Sequence, residues 1–228
     1  MNSLSDDVRT VILDIDGTLM DTNYLHVEAW VQAFEKVGKR LTRAKVHREI
    51  GKGSDKLIPA FVEGSDDELE LTGRINDLHA EFYANVQKNG HPLPGAKRLL
   101  ATLSEAGYAV WLATSAGSEE LEHTLEELAA DGKVSGIVSS SEAEGSKPAP
   151  AIFELTLKRA GVSADEVVAV GDSIWDIQAA KATGIKTIAV LTGGAFSRAE
   201  LEEEGAIAVY QDCAELLDSG LFITSDDS

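Results

Sequence analysis

From residue 92 onwards the sequence repeats one pattern. A short apolar run rich in Val and Ile is followed by a polar turn, and then by apolar residues at helical spacing. Such runs are typical of buried strands, and a helical segment between each pair of them is typical of a parallel sheet with helices on both faces. The sequence therefore predicts an α/β fold with a doubly wound parallel sheet. The predicted strands are 108–113, 137–138, 167–170, 187–191 and 207–209.

A further predicted strand lies near the start of the chain, where three apolar residues at 11–13 run into Asp14. Asp16 and Gly17 follow, and we predict that the strand stops at Asp16. If the two carboxylates share one small site, they repel each other unless a cation or a proton lies between them. A hard divalent cation with oxygen ligands, Mg²⁺, answers that need. The alternative is an Asp-rich turn at a strand end, since Asp and Gly are ordinary turn residues.

The stretch 21–89 has a different character, because its apolar residues recur at helical spacing and it contains no convincing strand pattern. Two glycines flank Lys52 in a loop, and we predict Ser54 or Asp55 as the N-cap of the helix that follows. We therefore predict an all-helical insert at 21–89 within a core formed by residues 1–20 and 90–228. The chain shows no internal repeat.

The charge balance excludes several classes of partner. The 228 residues carry 20 Lys and Arg against 39 Asp and Glu, a formal net charge of −19. This charge opposes binding to nucleic acid or to an anionic membrane surface, and a phosphate site in this chain must supply its own positive charge. Cys213 is the single cysteine, so no intrachain disulfide can form. With no apolar run long enough for a membrane span or a signal peptide, we expect a cytoplasmic protein, a monomer or a small homo-oligomer.

Polar side chains cluster where the predicted strands end or a helix begins. In parallel sheets of this type, sites lie at the carboxyl ends of the strands. Each cluster also has a plain structural interpretation as a cap, a turn or a solvated lysine. Together they offer acids, hydroxyls and an amine at one edge of the sheet. The clusters are Asp14 with Asp16, Thr114 with Ser115, Lys147, and Asp172 with Ser173 and Asp176.

These residues resemble the four ordered motifs of the haloacid dehalogenase-like superfamily. The resemblance spans essentially the whole chain and includes a helical cap between the first two motifs. It implies a Rossmann-like core, Mg²⁺, and phosphoryl transfer through an aspartyl phosphate. The matching segments are Asp14-Ile15-Asp16-Gly17-Thr18-Leu19, Thr114, Lys147 before Pro148, and Gly171-Asp172-Ser173-Ile174-Trp175-Asp176.

The resemblance implies a role for each motif residue. Asp14 is expected to be the nucleophile, and Asp16 the general acid and base. Mg²⁺ is expected on Asp14, Asp172 and the backbone carbonyl of Asp16. The phosphate is expected to be held by a hydroxyl and a cation, together with the backbone N–H groups that follow the second motif. The phosphate-binding residues are Thr114, Ser115 and Lys147.

Some residues are expected to act in a supporting way. Ser173 supports the last motif, and Asp176 anchors Lys147 or a metal-bound water, or else is only a first-turn helix acid. His26 either orients Asp16 or is a packed residue beside the predicted helix. Lys52 and Ser54 either touch the substrate when the cap closes or belong to a solvated loop.

Single residues distinguish this chain from three other activities within the superfamily. Asp16 argues against a dehalogenase and against a phosphonoacetaldehyde hydrolase, which depart at that position. A β-phosphoglucomutase-like mutase is closer, but its cap Arg and Lys positions are matched here by Asp55 with Lys56 and by His79, and Gly171 replaces its acid. A non-catalytic binding module would show a missing acid or lysine. The sequence therefore predicts a phosphatase acting on a small phosphorylated metabolite, with a phosphosugar mutase as the alternative.

Overall fold

The structure is a computed structural model that describes residues 4–5, 7–64, 68–115 and 118–222, with residues 118–120 described by their backbone alone. Six parallel strands form one sheet in the order β3-β2-β1-β4-β5-β6. The predicted parallel α/β fold is therefore confirmed. The strands are β1 (Thr10–Leu13), β2 (Ala109–Thr114), β3 (Gly136–Ser139), β4 (Val167–Gly171), β5 (Lys186–Val190) and β6 (Ala208–Tyr210).

The central strand β1 places the first motif at the point where the strand order reverses. Leu13 is in register with Leu112 of β2 on one side and with Val170 of β4 on the other. From β1 the chain builds β2 and β3 towards one edge, and later β4 to β6 towards the other. Such a switch point opens a crevice at the carboxyl ends of the strands. Asp14 follows β1 directly, and its N–H donates to the carbonyl of Val170 at 2.9 Å.

Helices cover both faces of the sheet, and this explains why the strands read as continuous apolar runs. Successive side chains of a strand point to opposite faces. Val11 and Leu13 accordingly pack in one apolar cluster, and Ile12 packs in another. The helices outside the insert are α6 (Ala96–Glu105), α7 (Ser118–Leu128), α8 (Ala151–Ala160), α9 (Ile174–Ala182), α10 (Arg198–Glu204) and α11 (Cys213–Asp218).

The insert between β1 and β2 contributes no strand to the sheet in the described residues of 21–89. Its apolar residues, including Trp30, Phe34 and Ile75, form a cluster that shares no member with the clusters of the sheet. We propose that residues 21–89 form a separate cap and that residues 1–20 and 90–228 form the core. The insert helices are α1 (Asn23–Lys36), α2 (Arg43–His47), α3 (Ser54–Leu57), α4 (Pro59–Val62) and α5 (Glu68–Ala84).

Two local predictions were wrong. Strand β1 ends at Leu13 rather than at Asp16, because the chain turns after Asp14, and Gly17 donates to the carbonyl of Met20 at 2.8 Å. The N-cap of α3 is Gly53, not Ser54 or Asp55. The Asp55 carboxylate instead accepts hydrogen bonds from Ser146, which lies in the core.

In the described part of the chain, no helix combines the length and the apolar character needed to cross a membrane.

Candidate active site

The carboxyl ends of the central strands bring an amine and three carboxylates together. Lys147 lies in the loop after β3 and is fully buried. Its Nζ forms an ion pair with Asp14, lies 2.7 Å from Oδ1 of Asp176, and donates to the carbonyl of Ala113 at 3.1 Å. Burial acts to lower the pKa of Lys147, but the charges of Asp14 and Asp176 outweigh it and hold the pKa above its usual value. The lysine is therefore a fixed positive charge beside Asp14.

One oxygen from each of Asp14, Asp172 and Asp176 lies within 4.8 Å of the others. Burial is the main reason that the pKa of Asp14 rises to about 7 and that of Asp172 rises well above its usual value, and the neighbouring carboxylates add to both shifts. Lys147 supplies only one positive charge against three acids. An all-oxygen donor set with unbalanced negative charge fits a hard divalent cation such as Mg²⁺.

Neighbouring polar groups hold these carboxylates in place. The hydroxyl of Thr18 lies 3.4 Å from Oδ2 of Asp14 and 3.3 Å from Oδ1 of Asp172. The amide of Asn23 donates to Oδ2 of Asp172 at 3.1 Å and to the carbonyl of Gly193 at 3.3 Å. A Cβ at Gly193 would overlap the Asp172 carboxylate, so this approach requires glycine.

Asp176 combines the two roles between which the sequence left a choice. Its Oδ2 accepts hydrogen bonds from Oγ of Ser173 at 2.5 Å and from the N–H of Ser173 at 3.2 Å. The second of these bonds, together with the bond from the N–H of Asp176 to Oγ of Ser173 at 3.3 Å, forms the capping box of α9. Its Oδ1 faces Lys147. The first turn of α9 therefore holds the Asp176 carboxylate in place, and this carboxylate in turn orients Lys147.

Asp16 lies apart from the three-acid cluster. Its Oδ1 accepts a hydrogen bond from the hydroxyl of Thr22 at 2.5 Å and lies 3.4 Å from Nε2 of His26. Burial acts to raise the pKa of Asp16, but the His26 charge and the hydrogen bonds from His26 and Thr22 outweigh it and lower the pKa. Nδ1 of His26 in turn lies 3.3 Å from Nε2 of His79 on α5. A contact chain thus runs from Asp16 into the insert.

A cavity of about 690 Å³ lies between the insert and the sheet edge, and Asp14 and Asp16 line it. Ser115 lines it too, and its hydroxyl donates to the carbonyl of Gly51 at 3.0 Å. Thr114 is fully buried at the end of β2. Residues 116 and 117, whose backbone was expected to help bind phosphate, lie outside the described residues. Of the predicted cap residues, His26, Lys52 and Ser54 line the cavity.

Several contacts at the site were not anticipated from the sequence. The contact of His26 with Asp16 was anticipated, but that of Thr22 was not, although Thr22 stands one helical turn from His26 and could have been expected to share its partner. Asn23, His79 and Ser146 carry no comparable signal, because their partners lie far away along the chain.

We expect Lys147→Met to lower the free energy of unfolding of the metal-free protein by roughly 3–5 kcal/mol, because it leaves two buried carboxylates without their cation. Urea denaturation in the presence of EDTA measures the change. Lys158→Met is the matched control, since Lys158 is exposed on α8, and we expect it to change stability by no more than about 0.5 kcal/mol. Equal stabilities for the two variants would contradict this account of the buried charges.

Known protein families and known proteins with similar sequences also indicate a hydrolase. The family model described as haloacid dehalogenase-like hydrolase matches residues 11–190. The phosphorylated carbohydrates phosphatase of Thermotoga maritima is 29% identical over 207 residues, which cover 90% of this chain and 94% of that protein. The phosphoglycolate phosphatase of Pseudomonas fluorescens is 29% identical over 210 residues, covering 88% of this chain and 76% of that protein.

A hydrolase from Pseudomonas syringae has a similar structure, with a TM-score of 0.87 and 32% sequence identity. The match covers 95% of this chain and 99% of that one. Together with the family match, it confirms the predicted resemblance and the prediction of a hydrolytic enzyme. The chain belongs to the haloacid dehalogenase-like hydrolase family.

Proposed function

We propose that this protein is a Mg²⁺-dependent phosphatase that hydrolyses a small phosphorylated metabolite through an aspartyl phosphate on Asp14. The observation that carries the proposal is the pairing of Asp14, which lines the cavity, with the buried amine of Lys147 behind it. The names of the two relatives, phosphatases of phosphorylated carbohydrates and of phosphoglycolate, support the reaction type. The test is phosphate release from a panel of phosphate monoesters with Mg²⁺. Release from none of them would contradict it.

The reaction divides into two displacements at phosphorus. A carboxylate oxygen of Asp14 forms a bond to phosphorus, and the bond from phosphorus to the ester oxygen breaks. Asp16 gives a proton to that leaving oxygen. Asp16 then accepts a proton from a water molecule, whose oxygen attacks phosphorus and breaks the bond to Asp14. The products are an alcohol and inorganic phosphate, and both aspartates return to their starting state.

The positions of the two aspartates support these proposed roles. Both line the same cavity, but Asp14 contacts Lys147 and Asp16 contacts Thr22 and His26. The lowered pKa of Asp16 keeps it ionised in the free enzyme, which is the state that accepts a proton from water. A bound phosphate dianion would raise that pKa and favour the protonated acid.

Positive charge must offset the repulsion between Asp14 and the phosphate. Lys147 supplies part of it at a fixed position. Mg²⁺, held by Asp14, Asp172 and the backbone carbonyl of Asp16, would supply the remainder by drawing charge from the phosphoryl oxygens. Asp176 keeps Lys147 pointed at Asp14, and Thr18 and Asn23 hold Asp172.

A phosphosugar mutase is the second candidate, and the insert argues against it. A mutase must hold the distal phosphate of a bisphosphate with cap cations. The position matched to one such cation is occupied by Asp55, bonded to Ser146, with Lys56 beside it, and Lys56 does not line the cavity. The other position is His79. Burial and the charge of His26 hold the pKa of His79 well below its usual value, so this side chain is neutral at pH 7. A non-catalytic binding module is disfavoured because the motif acids and the lysine contact one another.

We expect β-glucose 1-phosphate, if it is used, to yield glucose and inorganic phosphate. Adding glucose 1,6-bisphosphate should not stimulate formation of glucose 6-phosphate, because Lys52, the one lysine among the described residues that line the cavity, is already paired with Glu49, and no arginine lines it. A coupled assay for glucose 6-phosphate, run beside a phosphate assay, distinguishes the two reactions. If bisphosphate-dependent glucose 6-phosphate appeared faster than phosphate, the mutase would replace the phosphatase.

A further inference from the structure

The part of the cavity wall that the insert forms contains four aromatic rings. We call Trp30, His26, His79 and Tyr83 the ring wall, and all four line the cavity. The Trp30 and His79 rings stack with centroids 3.7 Å apart, and the His26 and Tyr83 rings stack at 3.9 Å. These contacts hold the rings to one another and make the wall a preorganised surface for the alcohol part of a substrate.

Two amides and one serine extend this wall with uncharged polar groups. Asn76 and Gln87 also line the cavity, and Ser54 lines it from the first turn of α3. Amide and hydroxyl groups both donate and accept hydrogen bonds, so they match the hydroxyl groups of a polyol or a sugar. The cavity of about 690 Å³ is in the range that holds drug-sized ligands, far more than a two-carbon acid fills.

The charges around the cavity oppose a second anionic group on the substrate. Among the described residues that line it, Lys52 is the one lysine, and no arginine lines it. Nζ of Lys52 lies 2.5 Å from a carboxylate oxygen of Glu49 and 3.9 Å from the centroid of the Trp175 ring. This cation is thus already engaged. The charge of His26, which also lines the cavity, is likewise engaged, because its Nε2 lies 3.4 Å from Oδ1 of Asp16. His79, in the ring wall, is neutral because burial and the charge of His26 hold its pKa well below the usual value.

Asp55 adds a fixed negative charge on the same side as Lys52. Its carboxylate accepts hydrogen bonds from the hydroxyl and the N–H of Ser146, and the N–H of Gly53 donates to that hydroxyl at 3.0 Å. Lys56 lies 3.9 Å away, and both of these side chains are 48% exposed, so this pair is weak. Lys56 does not line the cavity, so an anionic group on the substrate would face Asp55 with no free cation among the described lining residues.

We propose that the cavity selects phosphate monoesters of uncharged, hydroxyl-bearing alcohols of about sugar size, and that Asp55 is a specificity residue that rejects alcohols carrying a carboxylate or a second phosphate. The inference rests on the proposed phosphatase function. It differs from what the name of the phosphoglycolate phosphatase relative would suggest, because phosphoglycolate carries a carboxylate and only two carbons.

Matched pairs of esters test the selection. β-Glucose 1-phosphate and glucuronic acid 1-phosphate differ only in a hydroxymethyl against a carboxylate, as do 2-hydroxyethyl phosphate and 2-phosphoglycolate. We expect kcat/KM to favour the uncharged member of each pair by about tenfold or more, and the glucose ester to exceed both two-carbon esters. Nucleoside monophosphates represent a different class of phosphate monoester, and we expect them to be hydrolysed with a lower kcat/KM than the glucose ester.

The variant Asp55→Asn tests the specificity residue. The amide keeps the volume and an acceptor for Ser146 but removes the charge, so the preference for the uncharged member should shrink by about threefold or more. Asp77→Asn is the matched control, because Asp77 is exposed on α5 and does not line the cavity. It changes the net charge equally and should leave the preference unaltered.

Each result decides the inference. Equal or faster hydrolysis of the acidic members would overturn the selection, and equal responses of the two variants would overturn the role of Asp55. A nucleoside monophosphate that outpaces the glucose ester would overturn the substrate class. Those outcomes leave the phosphatase intact, whereas absence of phosphate release from every ester, p-nitrophenyl phosphate included, would remove the phosphatase and the inference together.

Discussion

We expect Asp14→Asn to lower phosphate release by about three orders of magnitude or more, because an amide cannot form the phosphoenzyme. Asn has nearly the same shape as Asp, and Lys147 keeps its partner Asp176 at 2.7 Å. We therefore expect the variant to remain folded. Initial rates with p-nitrophenyl phosphate measure the loss, and circular dichroism verifies the fold.

The matched control for this substitution is Asp21→Asn. Asp21 is an exposed carboxylate seven residues further along the chain and does not line the cavity. We expect its rate to stay within about twofold of the unaltered enzyme, as for most surface substitutions. Near-normal phosphate release by folded Asp14→Asn would exclude this residue as the nucleophile.

Removal of the metal is expected to have the second large effect. Chelation with EDTA should lower the rate by about a hundredfold or more, and added Mg²⁺ should restore it. The reason is the charge at the site, where three buried carboxylates face the single ammonium of Lys147. Without a cation this cluster repels an anionic phosphate and holds Asp14 and Asp172 at raised pKa values.

Two further measurements sharpen the metal prediction. Ca²⁺ should inhibit, because its larger and more flexible coordination shell can take both oxygens of Asp14 and block attack. Asp172→Asn should raise the Mg²⁺ concentration needed for half-maximal rate, since it removes one proposed ligand. An undiminished rate in fully chelated enzyme would show that the carboxylate cluster does not serve a metal.

The fold and the set of motif residues were predictable because both follow from short-range patterns. Alternating strand and helix signals predict a parallel sheet, and the carboxyl ends of parallel strands meet at one edge. Asp14, which follows β1, and Lys147, which follows β3, therefore had to lie near each other, and their ion pair agrees with that expectation.

The contacts between the insert and the core were not predictable in this way. The start of α3 illustrates the reason, because Asp55 has the position of a helix cap but bonds Ser146, 91 residues away. Asn23 of α1 likewise reaches Asp172 in the core across 149 residues. Such partners depend on how the insert packs over the sheet, and neither helical nor strand periodicity carries that information.

Asp176 shows that two local interpretations of one residue need not compete. Its spacing from Ser173 indicates a capping box, and its place in the last motif indicates a partner for Lys147. The structure assigns one carboxylate oxygen to each.

The central claim, a phosphoryl group on Asp14, is tested most directly by a rapid-quench experiment on Asp16→Asn with p-nitrophenyl phosphate. Nitrophenolate leaves without a proton, so the first displacement should proceed, while hydrolysis of the phosphoenzyme lacks its base. We predict a burst of about one nitrophenolate per enzyme. Mass spectrometry of the acid-quenched protein should then find one phosphoryl group on the peptide that contains Asp14. Nitrophenolate release without a burst, together with an unmodified Asp14 peptide at every quench time, would contradict the account.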